Sequence, residues 1–353
     1  MKFDSFIRFA VEQGASDIHF QSGAAPLLRI GGLIRTVESP PVTGEELGAF
    51  IATIRPGVTA ETLGEMMYQG LDFSHSVPEL CRFRCNVYSH LGTPAMVMRV
   101  VRLQVRTMDE LQLPAVLRDI TLSLRGLTLV TGTTGSGKTT TLASMVDLIN
   151  NAFRCKIITI EDPIEYIHTN QKAMISQLEV GRDTPSFEQG LRQALRQDPD
   201  VILVGEVRDS ETMRMALRAA DTGHQVFTTV HSSNASQTIE RILAMVPPEE
   251  RAIATSQLAS QLQAVISQRL AMTKDGGRRP AMEILRGGPV TSKYIQENRL
   301  GDLSDFIATR ELGMQRFDQH LIDLYNQQVI TGTEAMRLAT NPEAVALGLR
   351  GIH

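Results

Sequence analysis

The eight residues Gly132-Thr133-Thr134-Gly135-Ser136-Gly137-Lys138-Thr139 constrain this chain more than any other feature of its sequence. They satisfy the pattern GxxxxGK[ST], follow an apolar run at 127–131 and open a stretch at 139–150 with helical spacing. Glycines at 132, 135 and 137 let the backbone curl until successive N–H groups face one centre, and a helix N-terminus adds its positive dipole end there. Such a concavity takes phosphate. Lys138 is placed to reach the β- and γ-phosphates of a nucleoside triphosphate and the Thr139 hydroxyl to ligate a bridging magnesium ion, and Thr140 is expected among the nucleotide-binding residues. ATP and Mg2+ are the expected ligands.

Around this loop the apolar runs at 127–131, 156–160, 201–205 and 225–230 alternate with helical stretches such as 139–150 and 211–220. Short strands alternating with helices specify an α/β domain with a parallel, helix-covered sheet. Residues upstream read differently. Phe3, Phe6, Ile7, Ala10 and Val11 recur at helical spacing, and a strand carries Asp17 to Phe20. Gly31-Gly32 then marks a hairpin turn between 27–30 and 33–37, and 43–54 returns to helical spacing. The segments 82–88 and 95–101 alternate as half-buried strands do. We therefore expect a small α+β domain over 1–104, a linker over 105–116 around Thr107, Asp109 and Pro114, and the phosphate-binding domain over 117–353, mostly helical from Gln257 onward.

Composition narrows the partners. Lys and Arg number 35 against 39 for Asp and Glu, which leaves no cationic surplus for a nucleic-acid backbone. The three cysteines, Cys81, Cys85 and Cys155, form neither a zinc-ligand spacing nor a disulfide framework. The start of the chain does not read as an export signal, and no apolar run is long enough to span a bilayer, so a cytoplasmic protein without membrane insertion is expected.

Three further segments supply chemistry. Ile158-Thr159-Ile160-Glu161-Asp162 places carboxylates where a strand ends, the position at which open parallel sheets bind ligands, and Glu161 is suited to orient and deprotonate an attacking water. Val201-Ile202-Leu203-Val204-Gly205-Glu206 is an apolar strand ending in an acid, as in a Walker B strand, and Glu206 is placed to hold magnesium; Gly205 stands where an Asp is more usual. His231, just past the strand at 225–230, could sense a γ-phosphate. It cannot share a metal with His224, which lies roughly 20 Å away at the other end of that strand.

In this order the four segments resemble the type II/IV secretion ATPase superfamily, and most closely the twitching-motility (retraction) ATPases of type IV pili, the PilT/PilU group. The segment Gly14-Ala15-Ser16-Asp17-Ile18-His19-Phe20 is similar to the start of that family's PAS-like domain, and Gly313-Met314-Gln315-Arg316-Phe317-Asp318-Gln319-His320-Leu321 to its closing segment. The resemblance implies a RecA-like core and a homo-hexamer with nucleotide at subunit boundaries. It makes Glu161 the catalytic carboxylate and Glu206 the magnesium partner, roles that could be exchanged. It also implies arginines lent to a neighbour's γ-phosphate, for which Arg82, Arg84, Arg99 and Arg102 are the matching residues. Partners implied are an inner-membrane platform protein and a paralogous retraction ATPase, at the inner face of the cytoplasmic membrane.

Extension ATPases of pili and secretion systems carry a tetracysteine zinc site and an additional N-terminal domain, and neither is matched by this sequence. The retraction group's AIRNLIRE helix reads Val290-Thr291-Ser292-Lys293-Tyr294-Ile295-Gln296-Glu297 here, a departure that admits an accessory, PilU-like role. Two other readings compete with retraction: a pilus-assembly or type II secretion ATPase, and a nucleotide-gated interaction module that does not turn ATP over.

Overall fold

The computed structural model describes residues 2–78, 80–101 and 105–351 and divides into two compact units. The first comprises Met1–Gln104 together with Pro163–Ile167. Its elements are α1 (Phe3–Glu12), β1 (Ala15–Gln21), β2 (Leu27–Ile30), β3 (Leu33–Thr36), α2 (Gly44–Ile54), α3 (Ala60–Gln69), β4 (Leu71–Val77), β5 (Cys81–His90) and β6 (Thr93–Val101). The strands form one sheet in the order β3-β2-β1-β6-β5-β4.

The β2–β3 hairpin turns at Gly31 and Gly32, both at positive φ, as a two-residue primed turn requires, and pairs Ile30 with Leu33. Thr43 starts α2 through a reciprocal capping box with Glu46. One face of the sheet, with α1 and α2, encloses a core built on Ile7, Ile18, Phe20, Leu47, Ile51, Phe83, Met96 and Met98. The opposite face carries the polar set from β1, β5 and β6, including Asp17, Arg84 and Arg99. Arg102 lies outside the described residues.

The second unit comprises Val105–Asp162 and His168–His353. Residues 105–116 belong to it, and Met108 is buried in its core beside Leu117 and Ile120. Its elements through the sheet are α4 (Val116–Thr121), β7 (Gly126–Thr131), α5 (Lys138–Ala152), β8 (Lys156–Glu161), β9 (Met174–Glu179), α6 (Phe187–Ala194), β10 (Val201–Val204), α7 (Ser210–Asp221), β11 (Gln225–Val230), α8 (Ala235–Met245), α9 (Arg251–Gln261), β12 (Leu262–Met272) and β13 (Arg278–Arg286). The sheet order is β13-β12-β7-β11-β10-β8-β9, parallel throughout except for β13.

The expectation of a mostly helical chain beyond Gln257 is corrected at 262–286. There β12 and β13 form a long antiparallel hairpin, turning near Gly276, that extends the parallel sheet past β7. Their apolar residues are buried on both faces, so the period-two alternation that marks a strand is absent from the sequence. Helices do come after the hairpin: α10 (Pro289–Gln296), α11 (Leu303–Ala308), α12 (Phe317–Asn326), α13 (Gly332–Leu338) and α14 (Pro342–Gly348). Among the described residues no helix is long and apolar enough to cross a membrane.

Candidate functional site

Register places the chemistry at one edge of the second sheet. Thr131 of β7 pairs with Val230 of β11, Val204 of β10 with both Thr228 of β11 and Ile160 of β8. The segments beginning at Gly132, Glu161, Gly205 and His231 therefore all leave the carboxyl ends of adjacent parallel strands, where open α/β sheets bind ligands.

The glycine loop has the backbone its sequence implies. Gly132, Gly135 and Gly137 adopt φ of 144°, 80° and 92°, and α5 begins at Lys138 immediately behind them. Gly135 meets no crowding, so its glycine serves the left-handed backbone alone, whereas a Cβ on Gly132 would lie 2.4 Å from the Gln268 carbonyl oxygen. Lys138 is buried, and its Nζ donates to the Gly132 and Thr133 carbonyls at 2.9 and 3.1 Å. Thr133, Thr134 and Gly135 are exposed at the lip, while Thr139 and Thr140 are half-buried in the first turn of α5. The Ser136 hydroxyl is buried with no hydrogen-bond partner. An orphaned hydroxyl beside a curl of N–H groups fits a phosphate that supplies the missing acceptor.

The two acids sit in different surroundings. Glu161, the last residue of β8, is buried; its Oε1 accepts from the Thr159 hydroxyl at 2.6 Å and from Gln177 Nε2 at 3.2 Å, both neutral donors. Glu206 faces a guanidinium and an imidazole: Arg208 is ion-paired to its Oε1, and His231 Nε2 lies 3.6 Å from its Oε2. The structure thus brings His231 against Glu206, as the two adjacent strand ends require. Gly205 is explained by the same geometry. Its N–H donates to the Ile160 carbonyl at 2.8 Å, and a Cβ there would meet that oxygen at 3.2 Å and Glu161 Cα at 3.4 Å. An Asp at 205 would crowd the strand carrying Glu161.

His224 lies at the far end of β11, where its Nδ1 is 2.9 Å from the Ala219 carbonyl oxygen, well away from this edge. Sequence reasoning missed Arg208 and Gln268. Arg208 stood two residues beyond Glu206 in a loop whose direction the sequence does not reveal, and Gln268 lies in the strand read as helix.

In the first unit Arg84 and Arg99 are directly opposite each other on β5 and β6. Arg84 is exposed, and Arg99 Nε donates to Asp17 Oδ1 at 2.7 Å. Burial alone would raise the Asp17 pKa, but the hydrogen bonds from Arg99 and Ser16 outweigh it and hold the carboxyl below its usual value. Arg82, on the same strand face as Arg84, is 6% exposed. The two thus share a face but not an environment.

Comparison with known proteins agrees with this arrangement. Residues 2–296 match the family model of the type II/IV secretion system protein. The chain is 42% identical over 344 residues to the type IV pilus retraction ATPase PilT of Pseudomonas aeruginosa, covering 97% of this chain and 99% of that protein. It is 36% identical over 352 residues to the type IV pilus ATPase PilU of the same organism, covering 99% of this chain and 92% of that one. A crystal structure of the pilus retraction motor PilT with bound ADP superposes with a TM-score of 0.90 at 40% identity, covering 98% of both chains. The chain therefore belongs to the type II/IV secretion system protein family, within its pilus retraction ATPase group.

Proposed function

We propose that this protein is an ATP-hydrolysing motor that powers retraction of type IV pili, the basis of twitching motility. The observation that carries the reading is the convergence of the glycine loop, Glu161, Glu206 and His231 on one sheet edge. The near full-length similarity to PilT supports retraction as the task.

In this reading the loop N–H groups and Lys138 bind the triphosphate, and Lys138 exchanges its two carbonyl partners for phosphate oxygens. Among the described residues no three His, Cys, Asp or Glu side chains gather to hold a metal by themselves. The residues present suit magnesium, which takes most of its ligands from phosphate and water, with Thr139 and Glu206 the protein groups that would hold it. Held there, the ion would supply positive charge to offset that developing on the phosphates. Glu161, which accepts hydrogen bonds from Thr159 and Gln177, orients and deprotonates the attacking water. His231 registers the γ-phosphate through Glu206.

Six copies form the working ring. Residues 1–104 act as the moving domain and 117–353 as the ATPase core, with 105–116, packed against that core through Met108, leading into it. Arg84 and Arg99 serve the nucleotide of a neighbouring subunit; their opposed placement on β5 and β6 gives two guanidiniums on one face, as recognition of a shared phosphate needs. Closure of one subunit on the next deforms the ring and drives a platform protein at the inner face of the cytoplasmic membrane, alongside a paralogous retraction ATPase.

The direct test is magnesium-dependent ATP hydrolysis by purified protein. Lys138→Ala is expected to remove roughly 99% or more of the activity while leaving the fold intact. Cells lacking the gene should be hyperpiliated and non-twitching; bald cells would overturn retraction in favour of assembly.

A further inference from the structure

The glycine loop is held from the sheet as well as by its own glycines, and one side chain of β12 reaches both the loop and the helix behind it. Gln268, in β12, is 2% exposed. Its Nε2 donates to the Ser136 carbonyl at 2.6 Å, and its Oε1 accepts from the Thr141 hydroxyl of α5 at 2.9 Å. Both ends of the amide are used, one on the loop and one on the helix behind it. The same residue borders two of the loop glycines. An ideal Cβ on Gly132 would stand 2.4 Å from the Gln268 carbonyl oxygen, and one on Gly137 would stand 2.8 Å from Gln268 Nε2. The preceding residue, Ser267, accepts a hydrogen bond from Thr131 at 3.0 Å, so β12 also grips the last residue before the loop.

We infer that Gln268 is a positioning residue for nucleotide binding, whose carboxamide clamps the Ser136 peptide and Thr141 so that the loop N–H groups converge on phosphate before nucleotide arrives. The physical reason is peptide geometry. The plane that presents the Ser136 carbonyl to Gln268 fixes the Gly137 N–H on its opposite side, because the two groups of one peptide unit point in opposite directions. A donor held against that carbonyl therefore aims the next N–H, and a buried amide with both ends satisfied resists rotation. Preorganised N–H groups bind phosphate without paying ordering entropy at the moment of association.

The inference rests on the nucleotide-binding reading above, and its test separates the two. Full-length wild-type protein, Gln268→Met, Gln268→Glu, Thr141→Val and the Thr141→Val/Gln268→Met double variant are titrated with fluorescent ADP and magnesium. Melting is recorded without nucleotide. Gln268→Met keeps the volume and removes both bonds; it is expected to weaken ADP at least tenfold while melting within a few degrees of wild type. Gln268→Glu turns an acceptor towards the Ser136 carbonyl and should bind more weakly still. Thr141→Val, losing one bond, should weaken binding by about threefold, and added to Gln268→Met it should cost nothing further, because the two residues act as one clamp. Wild-type affinity in Gln268→Met, or additive losses in the double variant, would overturn the inference. Should Gln268→Met fail to fold, unchanged affinity in Thr141→Val would overturn it on its own. Absence of ADP binding by the wild type would overturn the nucleotide reading itself, and the clamp with it.

Discussion

Gly205 offers a sharp test of the proposed site, because the reason for its lack of a side chain is visible. A Cβ at 205 would lie 3.2 Å from the Ile160 carbonyl oxygen and 3.4 Å from Glu161 Cα. Neither neighbour is a flexible side-chain tip; both belong to β8, which is hydrogen-bonded to β10 up to Val204–Ile160. Gly205→Ala must therefore push the ends of two strands apart by a few tenths of an ångström. Overpacking of this kind costs about 1–3 kcal/mol, or a lowering of the melting temperature by roughly 2–12 °C for a unit of this size. The functional loss should be larger in relative terms, since the displaced atoms carry Glu161 and Glu206. Misplacement of a catalytic group by about 1 Å costs about 100-fold, so a shift of a few tenths should cost on the order of tenfold in kcat. Gly205→Asp adds a carboxylate beside Glu161 and should be worse on both counts. Steady-state ATP hydrolysis and calorimetric melting of the two variants decide the matter. If Gly205→Ala melts and turns over like wild type, the two strand ends have slack and the close-approach argument fails.

Acid should destabilise the protein through His320. Burial pushes its pKa from 6.5 down to about 4, while its Nδ1 accepts from the Met282 N–H at 2.9 Å. Because the folded pKa lies below the unfolded one, stability is unaffected by this group above about pH 6.5 and falls as pH drops from there towards about 4. The loss at about pH 4.5 is roughly 2.5 kcal/mol, and urea unfolding should show that much less acid sensitivity in His320→Gln. Mixing tests the lent arginines: Arg84→Ala subunits titrated into Lys138→Ala subunits should recover part of the ATPase activity if arginine and loop come from different copies, and none if they act within one.

How much of this was readable in advance depended on how local the cause is. Helix α1, the Gly31-Gly32 hairpin and the helix expected over 43–54 arise from neighbouring residues, and each forms within a residue or so of where its spacing placed it. Glu161 and Glu206 could be assigned to strand ends because the apolar runs before them stop there. Their surroundings could not be assigned, because Arg208, His231 and Gln177 reach them only through loop direction and strand order.

The glycine pattern of the loop at 132–139 was legible in sequence alone, for Gly135 and Gly137 take left-handed backbone that other residues resist, and the start of α5 depends on the residues just downstream of them. Tertiary structure decided the rest of the phosphate site. Strand β12 lies beside β7 although 136 residues separate Thr131 from its partner Ser267, and that adjacency supplies Gln268. No periodicity encodes it, because a strand buried on both faces hides its alternation, and which strand pairs with which is settled by burial across the whole sheet.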